Sequence, residues 1–122
     1  MTVRKRRVGR TGVLGAFEEL VLLAVLHEGD EAYAVSIRRA LVDRLGAEVA
    51  MGAVYATLDR LETKGLVTTR AGESVGTGPG RPRTYYDVKP DGLAALRQTR
   101  EARHSMWQGI RLPASAGRRT IN

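Results

Sequence analysis

The chain of 122 residues is long enough for one domain with a single modest core. With 43% hydrophobic and 27% charged residues, its composition is that of an ordinary folded protein and argues against global disorder. The chain contains no cysteine, which excludes a disulfide framework and a thiolate metal site. We therefore expect a single-domain cytoplasmic protein.

The longest apolar run, LVLLAVL, is far too short to span a bilayer, so we expect no membrane partner. A basic N-terminus precedes it, as in a secretory signal. However, Glu18 and Glu19 interrupt the approach to the run, and no small-residue cleavage site follows it. A signal peptide is therefore not expected.

The net charge of +7 is unevenly distributed. Residues 1–12 carry five bases and no acid, whereas residues 13–50 carry three bases and seven acids. A chain that is basic at both ends around a more acidic region suggests a polyanionic partner on selected surfaces. Solubility alone is the competing explanation for this charge.

Apolar periodicity and turn residues divide the chain into short elements. They predict helices at 14–28, 33–45, 51–64 and 90–110, strands at 66–71 and 84–88, and a loop at 72–82. The first helix is apolar on most sides and should be central. The second should turn Ile37, Leu41 and Leu45 inward and Ser36 outward, and Gly46 should end it.

The third predicted helix is apolar on one side only, where Val54, Leu58 and Leu61 repeat. The opposite side has the small residues Gly52 and Ala56 near the helix start, with Ala53 at its edge, and basic residues farther along. Small residues let a helix backbone lie deep in a groove, and basic residues beyond them reach phosphates. Such a side is what a recognition helix in the DNA major groove requires.

Three helices followed by a hairpin is the order of a winged helix-turn-helix domain. The fold class predicted is therefore mainly α with a small β-hairpin, and an additional C-terminal helix for dimerisation. Arg81 and Arg83 lie at the base of the predicted wing, where a guanidinium group can enter a minor groove or contact phosphates. The predicted parts are a flexible basic arm (1–12), the winged domain (13–89), the dimerisation helix (90–110) and a flexible tail (111–122).

Four segments, FEELVLLAVL, GDEAYAVSIRRAL, GAVYATLDRLETKGLV and GRPRTYY, together resemble the PadR family of bacterial transcriptional regulators. The resemblance covers roughly residues 14–110 and is that of the smaller subtype with a single C-terminal helix. It implies a homodimeric repressor that binds a palindromic double-stranded DNA operator and is, in many members, released by a small aromatic or drug-like ligand. It implies no cofactor and no enzymatic activity.

Carried over by position, the resemblance assigns ten residues to the DNA interface: Ser36, Met51, Ala53, Tyr55, Ala56, Thr57, Arg60, Lys64, Arg81 and Arg83. It assigns seven to the dimer interface: Phe17, Leu93, Leu96, Arg100, Arg103, Trp107 and Ile110. The chain departs from the family at Ala50, where many members have a hydroxyl cap, and at Ala56, where many have proline. These departures leave the base preference open.

Trp107, the single tryptophan, can stack on a planar ligand between subunits or simply pack in the dimer contact. Arg100 and Arg103 lie on the same helical side, where they can bind an acidic aromatic ligand or pair with glutamates across the dimer. His27 and His104 are too isolated to indicate a metal site. No nucleophile, base and orienting acid recur in a catalytic arrangement.

Two other functions remain open. A nonspecific nucleic-acid binder driven by the basic arm would lose binding when residues 1–12 are deleted. A winged-helix module for protein–protein interaction would not bind DNA at all.

Overall fold

The structure, a computed structural model, describes residues 12–72 and 82–114. Its elements are α1 (Ala16–Glu28), a 3-10 turn (Gly29–Glu31), α2 (Ala34–Leu45), α3 (Met51–Thr63), β1 (Val67–Ala71), β2 (Thr84–Val88) and α4 (Pro90–Trp107). The predicted order of three helices, a hairpin and a last helix is confirmed. The basic arm up to residue 11, Arg81 with the wing tip, and the tail from residue 115 lie outside the described residues.

Helix α1 is the central element, as its apolar surface predicts. Val21, Leu22 and Val25 are at most 2% exposed, and the helix contacts α2, α3, α4 and β2. One side stays uncovered, because Leu23 and Leu26 are 37% and 46% exposed. These two apolar side chains mark a surface that the described chain does not cover.

Two of the predictions for α2 are wrong. Ser36 is 3% exposed rather than outward, because its hydroxyl accepts the N–H of Tyr33 at 3.0 Å and donates to the carbonyl oxygen of Glu31 at 2.6 Å. These bonds satisfy backbone groups at the helix start. Leu45 is 45% exposed rather than inward, because the last turn runs past the core before Gly46 ends the helix at φ +68°.

The hairpin is antiparallel, with Thr69 opposite Tyr86. A one-residue bridge between Tyr33 and Tyr85, and a bond from the Tyr86 N–H to the Ala32 carbonyl at 2.8 Å, attach β2 to the start of α2. Adjacent strand residues point to opposite faces, so Tyr86 enters the core at 7% exposure while Tyr85 is half-buried. The wing is therefore fixed to α2 at its base.

Helix α4 packs through a short stripe of small residues and then leaves the core. Gly92, Ala95, Leu96 and Thr99 are its buried positions. All its residues after Ala102 are exposed, and it ends at Trp107, three residues earlier than predicted. In the parts of the chain that the structure describes, no helix is long and apolar enough to cross a membrane.

Candidate nucleic-acid interface

Most of the α3 residues predicted for the DNA interface are exposed on the outer side of the helix. Met51 is half-buried, and the exposed predicted residues are Ala53, Tyr55, Ala56, Arg60 and Lys64. Thr57 is the exception: it is 2% exposed, because the buried stripe of this helix includes position 57 together with Val54, Leu58 and Leu61. Its hydroxyl accepts a hydrogen bond from Arg60 Nη2 at 3.1 Å. Thr57 is therefore buried beneath Arg60 rather than exposed on the outer side of α3.

The start of α3 has no side-chain cap, as Ala50 predicts. The carbonyl oxygen of Ala50 accepts the first helical bonds, from the N–H groups of Ala53 and Val54 at 3.1 and 3.3 Å. The N–H groups of the first turn have no capping side chain, so the positive end of the helix dipole faces outward. This end suits an approaching anion, although it is not by itself a binding site.

The base of the wing is held by a stack of aromatic rings and guanidinium groups. The guanidinium carbon of Arg83 lies 4.2 Å from the centroid of the Tyr33 ring. Tyr33 contacts Tyr85 edge to face, with centroids 5.7 Å apart, and Arg70 lies 5.0 Å from the Tyr85 centroid. Arg70 Nε in turn donates to Asp87 Oδ2 at 3.0 Å. The sequence identified Arg83 but not Tyr33, although an aromatic residue directly before α2 was visible.

A groove of about 560 Å³ separates this stack from α3. Tyr33, Val35, Tyr55, Arg83 and Tyr86 are among its lining residues. Burial raises the pKa of Tyr86, and the carboxylates of two α3 residues add to the effect. The Tyr86 hydroxyl therefore stays neutral, and Arg83 supplies the positive charge of the groove.

Glu18 of α1 lies behind the far end of α3 and is 8% exposed. Its Oε2 is 2.7 Å from Lys64 Nζ and 3.7 Å from Arg60 Nε, and its Oε1 accepts the N–H of Gly15 at 3.3 Å. A buried carboxylate requires such partners. The two cations of α3 that were predicted to contact DNA are thus both paired with a carboxylate from another helix, which the sequence did not predict.

Glu18→Gln is expected to remove part of the pH dependence of stability. Burial raises the pKa of Glu18. The hydrogen bond and charge of Lys64, together with the Gly15 N–H and the charge of Arg60, outweigh burial and leave that pKa below its ordinary value of 4.5. The carboxylate therefore stabilises the fold above pH 4.5, and this contribution is lost as pH falls through the folded-state pKa. Urea unfolding at pH 7 and at pH 3 measures the difference.

Glu48→Gln is the control for that measurement, because Glu48 also pairs with an arginine but its side chain is 89% exposed. An exposed pair contributes little. If both variants change the pH dependence equally, Glu18 has no special role in it.

The apolar residues predicted for the dimer interface fall into three groups. Leu96 is 9% exposed and belongs to the core of its own subunit, because it lies on the buried stripe of α4. Phe17 packs against that core while half-buried. Leu93, Trp107 and Ile110 are 38%, 56% and 57% exposed, with Ile110 beyond the end of the helix. Met106 and Leu112, at 77% and 65%, are also exposed apolar residues in this segment and were not predicted.

Of the three predicted ligand residues, Arg100 alone lines the depression on α4 that the structure describes. Arg103 Nε donates to Glu19 Oε1 of its own chain at 2.8 Å. Arg100 lines a surface depression of about 500 Å³ with Arg97, Glu101 and His104, and Trp107 lies outside this set. Across residues 12–72 and 82–114, no three His, Asp or Glu side chains are grouped to hold a metal ion.

Comparison with known proteins decides the family. The model of the PadR-like transcriptional regulator family matches residues 22–98, from the middle of α1 into α4. The chain belongs to the PadR-like family. The resemblance that the four sequence segments showed is therefore confirmed, and the family is one of transcriptional regulators.

Several solved structures share the fold of this chain. A PadR family regulator from Eggerthella lenta is 28% identical, with 74% of this chain and 76% of that chain covered and a TM-score of 0.58. RosR of H. salinarum is also 28% identical, with 80% and 81% covered and a TM-score of 0.60. A transcriptional regulator from Clostridium thermocellum, 22% identical with 75% and 85% covered, matches in fold with a TM-score of 0.62. No curated protein sequence matches this chain significantly.

Proposed function

We propose that this PadR-like protein is a homodimeric repressor that binds a palindromic operator through α3 and the base of the wing. The observation that carries the proposal is the outer side of α3. Ala53 and Ala56 leave its first half narrow, and Tyr55, 50% exposed, offers a ring and a hydroxyl at the edge. A helix of this kind can approach base edges closely.

Contacts with phosphates would come from both sides of this helix. Arg60, whose side chain is 55% exposed, lies at its far end. Arg83, stacked on Tyr33, lies across the groove on the wing. Phosphate contacts fix the position of the protein on the duplex, while base contacts give selectivity. This division of roles supports sequence-specific binding over a purely electrostatic attraction.

The uncovered apolar surfaces support the dimer. Leu23 and Leu26 on α1, together with Trp107 and Met106 on the projecting end of α4, are exposed in one subunit. Large exposed apolar patches mark contact sites. A two-fold dimer built on them would present two copies of α3, and their separation would set the spacing of the operator half-sites.

The same surface supports release by a small aromatic ligand. An acidic aromatic molecule on Trp107 would compete with Glu19 for Arg103, whose ion pair is 47% exposed on the arginine side. Release follows only if the ligand favours a dimer geometry in which the two α3 helices no longer match the half-sites. The protein would act in the cytoplasm, at the nucleoid.

Arg83→Ala is expected to weaken DNA binding and to reduce the slope of log affinity against log salt by about 1, because one phosphate contact is lost. Fluorescence anisotropy with DNA from the upstream region of the gene measures this, with an unrelated fragment of equal length titrated in parallel. Arg97→Ala is the matched control, since it removes the same charge from α4, away from α3 and the wing.

Three outcomes would contradict the proposal. Equal, steeply salt-dependent binding of both fragments would indicate a nonspecific binder. Equal losses in the two arginine variants would show that only net charge matters. The absence of binding to either fragment at any salt concentration would favour a winged-helix module for protein–protein interaction instead.

A further inference from the structure

We propose that Glu18 weakens DNA binding by competing with the phosphates for the two cations of α3. The proposal rests on the function proposed above and concerns the strength of binding rather than its existence. The proposal is based on the position of the Glu18 carboxylate beneath α3. Its Oε2 lies 2.7 Å from Lys64 Nζ and 3.7 Å from Arg60 Nε.

The charge balance of α3 gives this carboxylate its importance. Between residues 51 and 64 the sequence has two bases, Arg60 and Lys64, and two acids, Asp59 and Glu62. The recognition helix is therefore neutral by itself. Glu18, at its back, makes the local charge negative, although DNA affinity depends mainly on positive charge at the interface.

The two cations differ in how firmly Glu18 holds them. Lys64 makes a short hydrogen-bonded ion pair, and its side chain is 36% exposed. Its ammonium group must turn away from a buried carboxylate to reach a phosphate, which leaves Glu18 without its best partner. Arg60 is more loosely held, because its Nε is 3.7 Å away and Nη2 donates to Thr57. Lys64 is therefore the cation that Glu18 withholds from DNA.

Neutralising Glu18 should release this cation. Glu18→Gln keeps the size of the side chain and its bond to the Gly15 N–H but removes the negative charge. The variant is expected to bind operator DNA more tightly, with one added phosphate contact. One such contact steepens the salt slope by about 0.9, so the gain over wild type should grow about 3.5-fold between 200 and 50 mM salt.

Glu19→Gln is the matched control. It makes the same change in net charge one residue along α1, but Glu19 pairs with Arg103 of α4 and not with α3. The double variant Glu18→Gln/Lys64→Met should lose the added slope. Circular dichroism and thermal melts establish that every variant is folded before affinity is compared by anisotropy at 50, 100 and 200 mM salt.

Each result has one meaning. A steeper slope in Glu18→Gln alone, abolished by Lys64→Met, supports the proposal. Equal gains in DNA affinity in the two glutamine variants would overturn the proposal, because the change in net charge alone would then explain them. Weaker DNA binding by Glu18→Gln would also overturn it, because Glu18 would then orient the two cations towards the phosphates. If wild type and variants bind no DNA at any salt, the proposed function fails as well. If the wild type binds DNA and Glu18→Gln has the same salt slope as the wild type, this inference is overturned while the proposed function stands.

Discussion

Leu22→Ala is expected to lower the free energy of unfolding by about 2–5 kcal/mol, the usual cost of removing a fully buried leucine side chain. Leu22 is 0% exposed and lies on α1, the helix that every other helix and strand β2 contact. The surrounding side chains are anchored on several elements, so the cavity cannot close easily. Urea unfolding followed by circular dichroism measures the loss.

Leu23→Ala is the control, one residue farther along the same helix. Leu23 is 37% exposed, so its truncation leaves no enclosed cavity and should cost much less in folding. If the proposed dimer uses this side of α1, the variant should instead shift sedimentation equilibrium towards the monomer. Equal losses of folding stability in both variants would mean that α1 is buried on all sides, against the exposure described above.

Gly92→Ala is expected to destabilise the fold by about 1–3 kcal/mol, the range for overpacking a tight site. The sign is unusual, because alanine normally stabilises a helix relative to glycine by about 0.5–1 kcal/mol. At Gly92 an added Cβ would meet the carbonyl oxygen of Leu66 and lie 2.7 Å from Val88 Cγ1. The Leu66 carbonyl cannot move freely, since it accepts the N–H of Lys89 at 2.9 Å.

Gly52→Ala shows the opposite case in the first turn of α3. An added Cβ there would meet nothing within 4 Å, so the helix preference should act alone and stabilise the protein by about 0.5–1 kcal/mol. Thermal melts of the two variants should therefore move in opposite directions. Stabilisation by both substitutions would show that α4 does not pack closely on the hairpin.

Apolar periodicity was enough to predict the order of the elements, and the errors have local causes. The third helix begins at Met51 as predicted, because its stripe of Val54, Leu58 and Leu61 is unambiguous. The apolar pattern did not predict that Thr57 is buried with this stripe, since threonine is common on protein surfaces as well. Ser36 was misplaced for a similar reason: its hydroxyl serves the backbone at the helix start, a role that its helical position alone does not show.

The electrostatic part of the candidate site was harder to predict. Glu18 and Lys64 are separated by 46 positions, and nothing in the spacing of either pairs them. The stacking of Arg83 on Tyr33 likewise depends on how the hairpin folds back onto α2. Sequence patterns report which residues share one element, whereas these contacts join different elements and require the tertiary structure.

The first and last helices of the fold meet, and this has a consequence for synthesis. The Leu14 N–H donates to Thr99 Oγ1 at 2.9 Å across 85 positions, and Glu19 reaches Arg103 across 84. At 5–20 residues per second, a ribosome needs roughly 4–17 s to advance from the first of these partners to the second. In the later part of that interval the nascent α1 has its neighbours α2 and α3 but not yet α4. The side of α1 that α4 finally protects is therefore the part of this core that a chaperone, or another nascent copy, meets first.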